Sequence, residues 1–310
     1  MSFFKTVWIT GAATALCVAS LASAAALGGA ELAQERQNVE QWKARRLASL
    51  TSETGWLTLT GLYWLEAGQN TFGRAKSNTL VLDNPSLAER AGSFVVEGRK
   101  VRFVARKGAN VTHDGKPVSA IELASDLTSD PTMLKSGSLT FYLIERVGKL
   151  GVRVRDSANP HRKNFTSLEY FPVDDSWVVD ARFEPYNPRK KVPIINILGM
   201  QEDMDAPGAL VFTHEGREYR LDALLEDPAD KEFFIMFADG TSGKETYGAG
   251  RFMYVSLPSK DAVVRLNFNK AYNPPCAFNT FATCPLPPPQ NKLMSVRVEA
   301  GEKTYAGHEP

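Results

Sequence analysis

The chain has few of the residues that build metal centres. Its 310 residues include 3 cysteines and 4 histidines. The histidines, His113, His161, His214 and His308, show neither paired spacing nor a neighbouring Cys-x-x-Cys, so no metal site is expected. Net charge is almost absent as well, with 36 Lys and Arg against 35 Asp and Glu. Binding along a phosphate backbone needs a basic surface that releases counterions, so a nucleic-acid partner is not expected. No run after residue 24 approaches the ~20 apolar residues of a membrane helix, so no span is expected there. His-Glu-x-x-His is missing, as are the Gly-x-Ser-x-Gly of a nucleophile elbow and the Gly-x-x-x-x-Gly-Lys of a phosphate loop. No cofactor is predicted.

What is present begins with an export signal. "MSFFKTVWITGAATALCVASLASA" has one lysine, an apolar run and small residues ending at Ala24, the pattern of a signal peptide spanning residues 1–24. The expected location is therefore periplasmic or extracellular. Cleavage would remove Lys5 and Cys17, leaving equal numbers of basic and acidic residues and only Cys276 and Cys284. An oxidising compartment favours a disulfide between those two, worth about 2 to 3 kcal/mol for so short a loop.

Hydrophobic periodicity predicts one helix and then mostly strands, an all-β (mainly β) protein. Residues 31–50 carry Leu32, Val39, Trp42, Leu47 and Leu50 at helical spacing among charges, an amphipathic helix. Short β-rich runs follow, broken every 8 to 12 residues by Gly, Asn or Asp, with Gly98, Gly108, Gly115 and Gly148 at expected hairpin turns. The polar stretch 156–165 divides a β-sandwich, residues 51–156, from a second β-barrel or sandwich domain, residues 165–306.

Chemistry-bearing residues concentrate in two stretches of the second domain. "FADGTSGKETYGAGRF", residues 237–252, brings Asp239, Ser242, Thr246, Tyr247 and Arg251 among glycines that permit close backbone approach. Arg251 lies in an apolar-aromatic run, where it either pairs with Asp239 or Glu302 or offers a fork to a carboxylate or phosphate. In "LNFNKAYNPPCAFNTFATCPLPPPQNK", alternation puts the amides of Asn267 and Asn269 on one side of a strand. Tyr272 and Asn273 follow at a turn, then the cysteine loop and a stiff Pro-rich segment. That segment suits either a site wall or a flap over the barrel.

Three functions fit these residues. The first is binding of a small polar or anionic molecule through Thr246, Tyr247, Arg251, Asn269, Tyr272 and Asn273. The second is a hydrolase-type enzyme with Asp239 or Glu302 as general base, assisted by Ser242 or Tyr247. The third is a structural or interaction module in which the polar cluster only ties the fold.

Two family resemblances add to this reading. Residues 66–155, with Gly73-Arg74 and "VRFVARKGANVTHDGKPV", resemble a forkhead-associated (FHA) domain, which implies an eleven-stranded sandwich. Of that family's phosphothreonine-binding residues only Arg74 matches. Glu89 and Asp114 replace the expected histidine and asparagine, and two carboxylates repel a phosphate, so the fold is carried over and phosphothreonine binding is not. Arg74 is then expected to be a surface or ion-paired arginine. "GWLTLTGLYWLEAGQNTFG", "FADGTSGKETYGAGRF" and above all "FNKAYNPPCAFNTFATCPLPPPQNKL" with "AGEK" resemble the bacterial and archaeal domain of unknown function 1684 (DUF1684) over residues 40 to 305. That resemblance implies no activity. It places Trp56, Asp239, Arg251, Asn269, Cys276, Cys284, Asn291 and Glu302 in the family pattern, and it implies aspartate where this chain has Asn267.

Overall fold

Alternation of apolar and polar residues and a single 3.6-residue stripe account for most of the architecture. The structure is a computed structural model that describes residues 28–305 and 307; the expected signal peptide lies outside the described residues. Helix α1 spans Gly29–Thr51, and Leu32, Glu35, Val39, Trp42, Arg46 and Leu50 form its inward stripe, with Val39 and Leu50 fully buried. Glu31 accepts a hydrogen bond from the Gly28 amide at 3.1 Å, closing the first turn where a negative charge also meets the positive end of the helix.

Eleven strands follow: β1 (Leu59–Trp64), β2 (Gly68–Gly73), β3 (Leu80–Val81), β4 (Gly92–Glu97), β5 (Lys100–Ala105), β6 (Thr112–His113), β7 (Lys116–Pro117), β8 (Ala120–Glu122), β9 (Leu134–Ser136), β10 (Leu139–Arg146) and β11 (Lys149–Asp156). They form a six-stranded sheet in the order β1-β11-β10-β9-β6-β7 and a five-stranded sheet in the order β3-β2-β4-β5-β8. The inward positions of β4 and β5, Phe94, Val96, Val101 and Phe103, meet Phe72 and Phe141 in one core. The four phenylalanines are fully buried, with neighbouring ring centroids 4.9 to 6.2 Å apart. Each contributes roughly 1.5 to 3 kcal/mol by burial. Asp114-Gly115, at φ 49° and 74°, makes the tight β6–β7 turn that only a pair tolerating positive φ can form. Gly108 sits instead in the crossover from β5 to β6, which belong to different sheets, so it turns the chain without making a hairpin.

The rest of the chain holds the short helix α2 (Pro160–Asn164) and strands β12 (Val178–Ile195), β13 (Gln201–His214), β14 (Arg217–Leu225), β15 (Glu232–Asp239), β16 (Arg251–Ser256), β17 (Val263–Asn267) and β18 (Lys292–Leu293). They pair in the order β16-β15-β14-β13-β12-β17, with β18 parallel to β15, and β16 and β17 approach to nearly close the sheet. β15, "EFFIMFAD", is covered on both faces. Phe233, Ile235 and Phe237 enter the main core, while Phe234 and Met236 enter a second one beneath the cysteine loop. β14 and β15 pair only at Leu224 and Phe234. Between them the fully buried Asn291 accepts from the Asp222 amide at 2.6 Å and donates to the carbonyls of Asp222 and Met236, replacing the missing rungs of the ladder. Among the described residues no helix is long and apolar enough to cross a membrane.

Candidate functional site

The residues singled out by sequence are brought together, but inside the fold. Arg251 is 1% exposed and its guanidinium donates to the carbonyls of Ala300 and Val298, with Asp239 Oδ2 at 3.5 Å. Desolvation pulls its pKa down to about 10 against the opposing pull of Asp239 and Glu302. Asp239 is fully buried and accepts from the hydroxyls of Thr241 and Ser242 and from the Val298 amide. Thr246, also fully buried, bonds Thr241 at 2.8 Å. The structural pairing of Arg251 with Asp239 is thus present. Gly250, at φ 89°, is required next to it, because a Cβ there would lie 2.5 Å from the Phe237 carbonyl.

The asparagines are similarly engaged. β17 ends at Asn267, so Asn269 lies in a 3-10 turn, Phe268–Lys270, and not on a continuing strand. The two amides still meet: Asn269 Nδ2 donates to Asn267 Oδ1 at 3.0 Å and to the Asp174 carbonyl at 2.9 Å, and its Oδ1 accepts from the Asp174 amide. Asn267 in turn donates to Glu35 of α1 at 2.9 Å. Asn273 donates from its side chain to the Lys303 carbonyl and from its amide to Glu302 Oε2. Glu302, 0% exposed, takes its counter-charge from Arg46 of α1 at 2.8 Å, and Arg46 also lies 4.7 Å above the Tyr272 ring. The acidic oxygens of Asp239 and Glu302 are therefore occupied, and neither residue lines the cleft described below. Arg74, expected at the surface, is 4.0 Å from Glu89 with both side chains exposed.

This network holds the cysteine loop as a flap over the outer face of the sheet. Cys276, Ala282 and Cys284 join the core above β13 to β16, while Ala277 and Phe278 pack on Leu50 and Leu57. Asn279 donates to the Trp56 carbonyl at 3.1 Å, and the Tyr247 hydroxyl donates to that of Cys276 at 3.2 Å. The expected disulfide is not formed here: Cys276 and Cys284 are both buried free thiols, with Cys284 Sγ accepting from the Cys276 amide at 3.1 Å. Its neighbour Cys284 holds the Cys276 thiol below its usual pKa, whereas burial pushes that of Cys284 up. Among the described residues no three of His, Cys, Asp or Glu are grouped to hold a metal ion.

A concavity opens beside this flap. A cleft of about 920 Å³ runs between α1, the outer face of the sandwich, the β12–β13 end of the sheet and the cysteine loop. Trp42, Trp56, Phe234, Phe252, Tyr254 and Tyr272 supply its aromatic lining, and Tyr254 is 44% exposed. Tyr254 stacks on Phe234 at 5.1 Å and on Tyr272 at 6.4 Å. Burial raises the pKa of both tyrosines, which keeps them neutral. Of the six ligand-binding residues expected from sequence, only Tyr272 lines the cleft; Thr246, Tyr247, Arg251, Asn269 and Asn273 do not.

Sequence reasoning missed Arg153. In "LGVRVRD" Val152 and Val154 enter the sandwich core, so Arg153 and Arg155 share the outer face. That alternation is legible; the covering of the outer face by the cysteine loop is not. Arg155 is held by the carbonyls of Thr54 and Gly55 and by Thr58, whereas Arg153, 3% exposed, reaches only side-chain hydroxyls, with Nη2 3.4 Å from Thr283 Oγ1 and the Tyr142 hydroxyl beside it. Its Nε has no partner among the described residues.

Comparison with known proteins gives a likeness to one family over the C-terminal part of the chain, and no activity. Residues 163–303 match the family described as "Protein of unknown function (DUF1684)". The match starts after the sandwich, so "GWLTLTGLYWLEAGQNTFG" lies outside it. No curated protein matches the chain. Among solved structures, an uncharacterised protein of Haloarcula marismortui, determined by solution NMR, is 28% identical, with 48% of this chain and 82% of that one covered and a TM-score of 0.40. The FHA domain of FhaA, in complex with the intracellular domain of another protein, is 16% identical, with 30% and 96% covered and a TM-score of 0.21. A further FHA domain, from a study of phosphothreonine-dependent interactions, is 17% identical, with 30% and 92% covered and a TM-score of 0.22.

Proposed function

We propose that the protein is exported and binds a small polar or anionic molecule in the cleft between α1, the sandwich and the cysteine loop. The observation that carries this reading is the cleft itself. Its volume, about 920 Å³, falls within the usual range for small-molecule sites, and partly exposed aromatic rings line it beside polar groups. The motif residues act one step back: Arg251, Asn269, Asn273 and Glu302 are internally paired and fix the loop whose Tyr272, Thr283 and Cys284 form a wall. Full burial and pairing of Asp239 and Glu302 weigh against the hydrolase reading built on them, because a general base must reach a bound molecule. Thermal-shift measurement across a panel of small polar and acidic metabolites tests the binding reading. At least one compound should raise the melting temperature of the wild type, and Tyr254→Ala should diminish that rise. A panel with no concentration-dependent shift overturns it.

Export also bears on the cysteines. In an oxidising compartment the two thiols, already adjacent, would form a disulfide by exchange with an oxidised dithiol carrier: the pair loses two electrons and two protons, and the carrier's disulfide becomes two thiols. Mass spectrometry of alkylated protein from the periplasm should show one internal disulfide and a chain beginning after Ala24. Two alkylated cysteines in that material would overturn the disulfide, and an intact N-terminus would overturn export.

A further inference from the structure

We infer that Arg153 is an oxyanion subsite of this cleft, and that the molecule bound there is a carboxylate or phosphate monoester carried on a flat ring. The inference deepens the binding reading above and rests on it.

Four arginines line the cleft, and Arg45 among them is exposed to solvent. Arg46 is neutralised by Glu302. Arg146 holds Asp126 with two donors, at 3.1 and 2.7 Å. Arg153 is almost fully buried in the same wall, yet no carboxylate lies within ion-pair distance among the described residues, and its Nε is unpartnered. A cation withdrawn from water without a counter-charge is costly, and buried charges in stable folds are paired or hydrogen-bonded. Desolvation and the neighbouring Arg146 lower the pKa of Arg153, against the opposing pulls of Tyr142 and of Asp126, whose carboxylate is already held by Arg146. An arriving anion would supply the missing charge.

Geometry narrows the anion. Nε and Nη2 lie on one edge of a guanidinium, and two parallel donors on one edge match two oxygens of a carboxylate or phosphate. Nη2 makes a long bond with Thr283, whose hydroxyl can turn to donate to the same oxyanion. The ring follows from what stands beside that edge. The Trp56 ring is 5.7 Å from the Arg153 guanidinium carbon, and Trp42, Tyr254 and Tyr272 line the same cleft. Flat faces of this kind stack a planar body while the arginine fixes its acidic end.

Titrating benzoate, phenyl phosphate, inorganic phosphate and neutral benzamide into the protein, followed by tryptophan fluorescence, tests this. Benzoate or phenyl phosphate should bind saturably and at least about tenfold more tightly than benzamide, the loss expected for one charge-assisted contact. The tighter of the two names the oxyanion. Arg153→Met should bring the acid down to the benzamide level, and Arg153→Lys, which keeps charge without the fork, should fall between. Benzamide binding as tightly as both acids to the wild type overturns the subsite whether or not the variants fold. Inorganic phosphate binding as tightly as phenyl phosphate overturns the ring. If the metabolite panel yields a ligand but neither acid binds, the subsite fails and the cleft reading stands. If nothing binds at all, the cleft reading fails first.

Discussion

The sandwich and the C-terminal sheet are both β structures with well-buried interiors, yet they are held by opposite means. Four phenylalanines in tilted and edge-to-face contact fill the sandwich, within one apolar cluster. The cysteine-loop end of the C-terminal sheet is instead closed by Arg251, Asp239, Asn269, Asn273, Asn291 and Glu302, all nearly or fully buried. Apolar cores tolerate changes that keep volume, because dispersion and burial are non-directional. Buried polar networks do not tolerate the loss of a partner, because the group left behind keeps its full desolvation cost. A segment crowded with functional groups can therefore be a structural tie, and polarity alone does not mark a ligand site.

The comparison is most easily broken at Arg251. Arg251→Met leaves the Asp239 carboxylate buried without its cation and two carbonyls short of a donor. The expected loss is about 3 to 5 kcal/mol in urea unfolding. Combining it with Asp239→Asn should recover part of that loss, since the uncompensated charge is then gone. A loss under about 1 kcal/mol for the single change would mean that this end of the sheet is held as the sandwich is.

Asn291 gives the next largest effect. Asn291→Ala removes three hydrogen bonds in the gap between β14 and β15, and about 3 kcal/mol is expected. Hydrogen exchange should speed up at the Asp222 amide while amides of the sandwich stay protected. Uniform loss of protection across both regions would show that they unfold as one unit.

These residues also show where the sequence stops being readable. The β-rich runs, the amphipathic helix and the sandwich core follow from periods of 2 and 3.6, and the observed strands and α1 agree with them. The sequence also put Arg251 beside Asp239 as one of two alternatives. What it could not supply is which side of a polar residue is covered. Asn269 and Asn273 look available in a Pro-rich loop, but α1 and the segment after β18, both remote in sequence, close over that loop. Arg153 shows the reverse: a plain outward arginine on an alternating strand becomes buried because a loop 130 residues later lies on it. Long-range covering is set by the packing of whole elements, and local pattern carries no trace of it.

Within the sandwich the contrast predicts a milder response. Phe103→Leu keeps an apolar side chain at a fully buried site and should cost about 1 to 1.5 kcal/mol, near the cost of an ordinary volume change. Its chemical-denaturation slope should be unchanged. A cost equal to that of Arg251→Met would erase the distinction between the two interiors.

The smallest effect falls where the two regions join. His161, on α2 beside the sandwich, stacks on Tyr305 at a centroid distance of 5.7 Å, with Nε2 and the tyrosine hydroxyl 3.1 Å apart. Burial lowers its pKa in the folded protein. The unfolded chain then binds its proton more readily, so the stability gained from the neutral ring is present above about pH 6.5 and declines as pH falls through the folded value. Because the ring is only partly buried, the decline should be shallow. Between pH 7.5 and 5 the melting temperature of the wild type should fall slightly more than that of His161→Gln, which has no proton to take up. Equal slopes would remove His161 as a titrating contact at this junction, and the acid sensitivity of the fold would then rest on its paired carboxylates, such as Glu35, whose pKa is lowered by Asn267 and Lys270 against the opposing effect of burial.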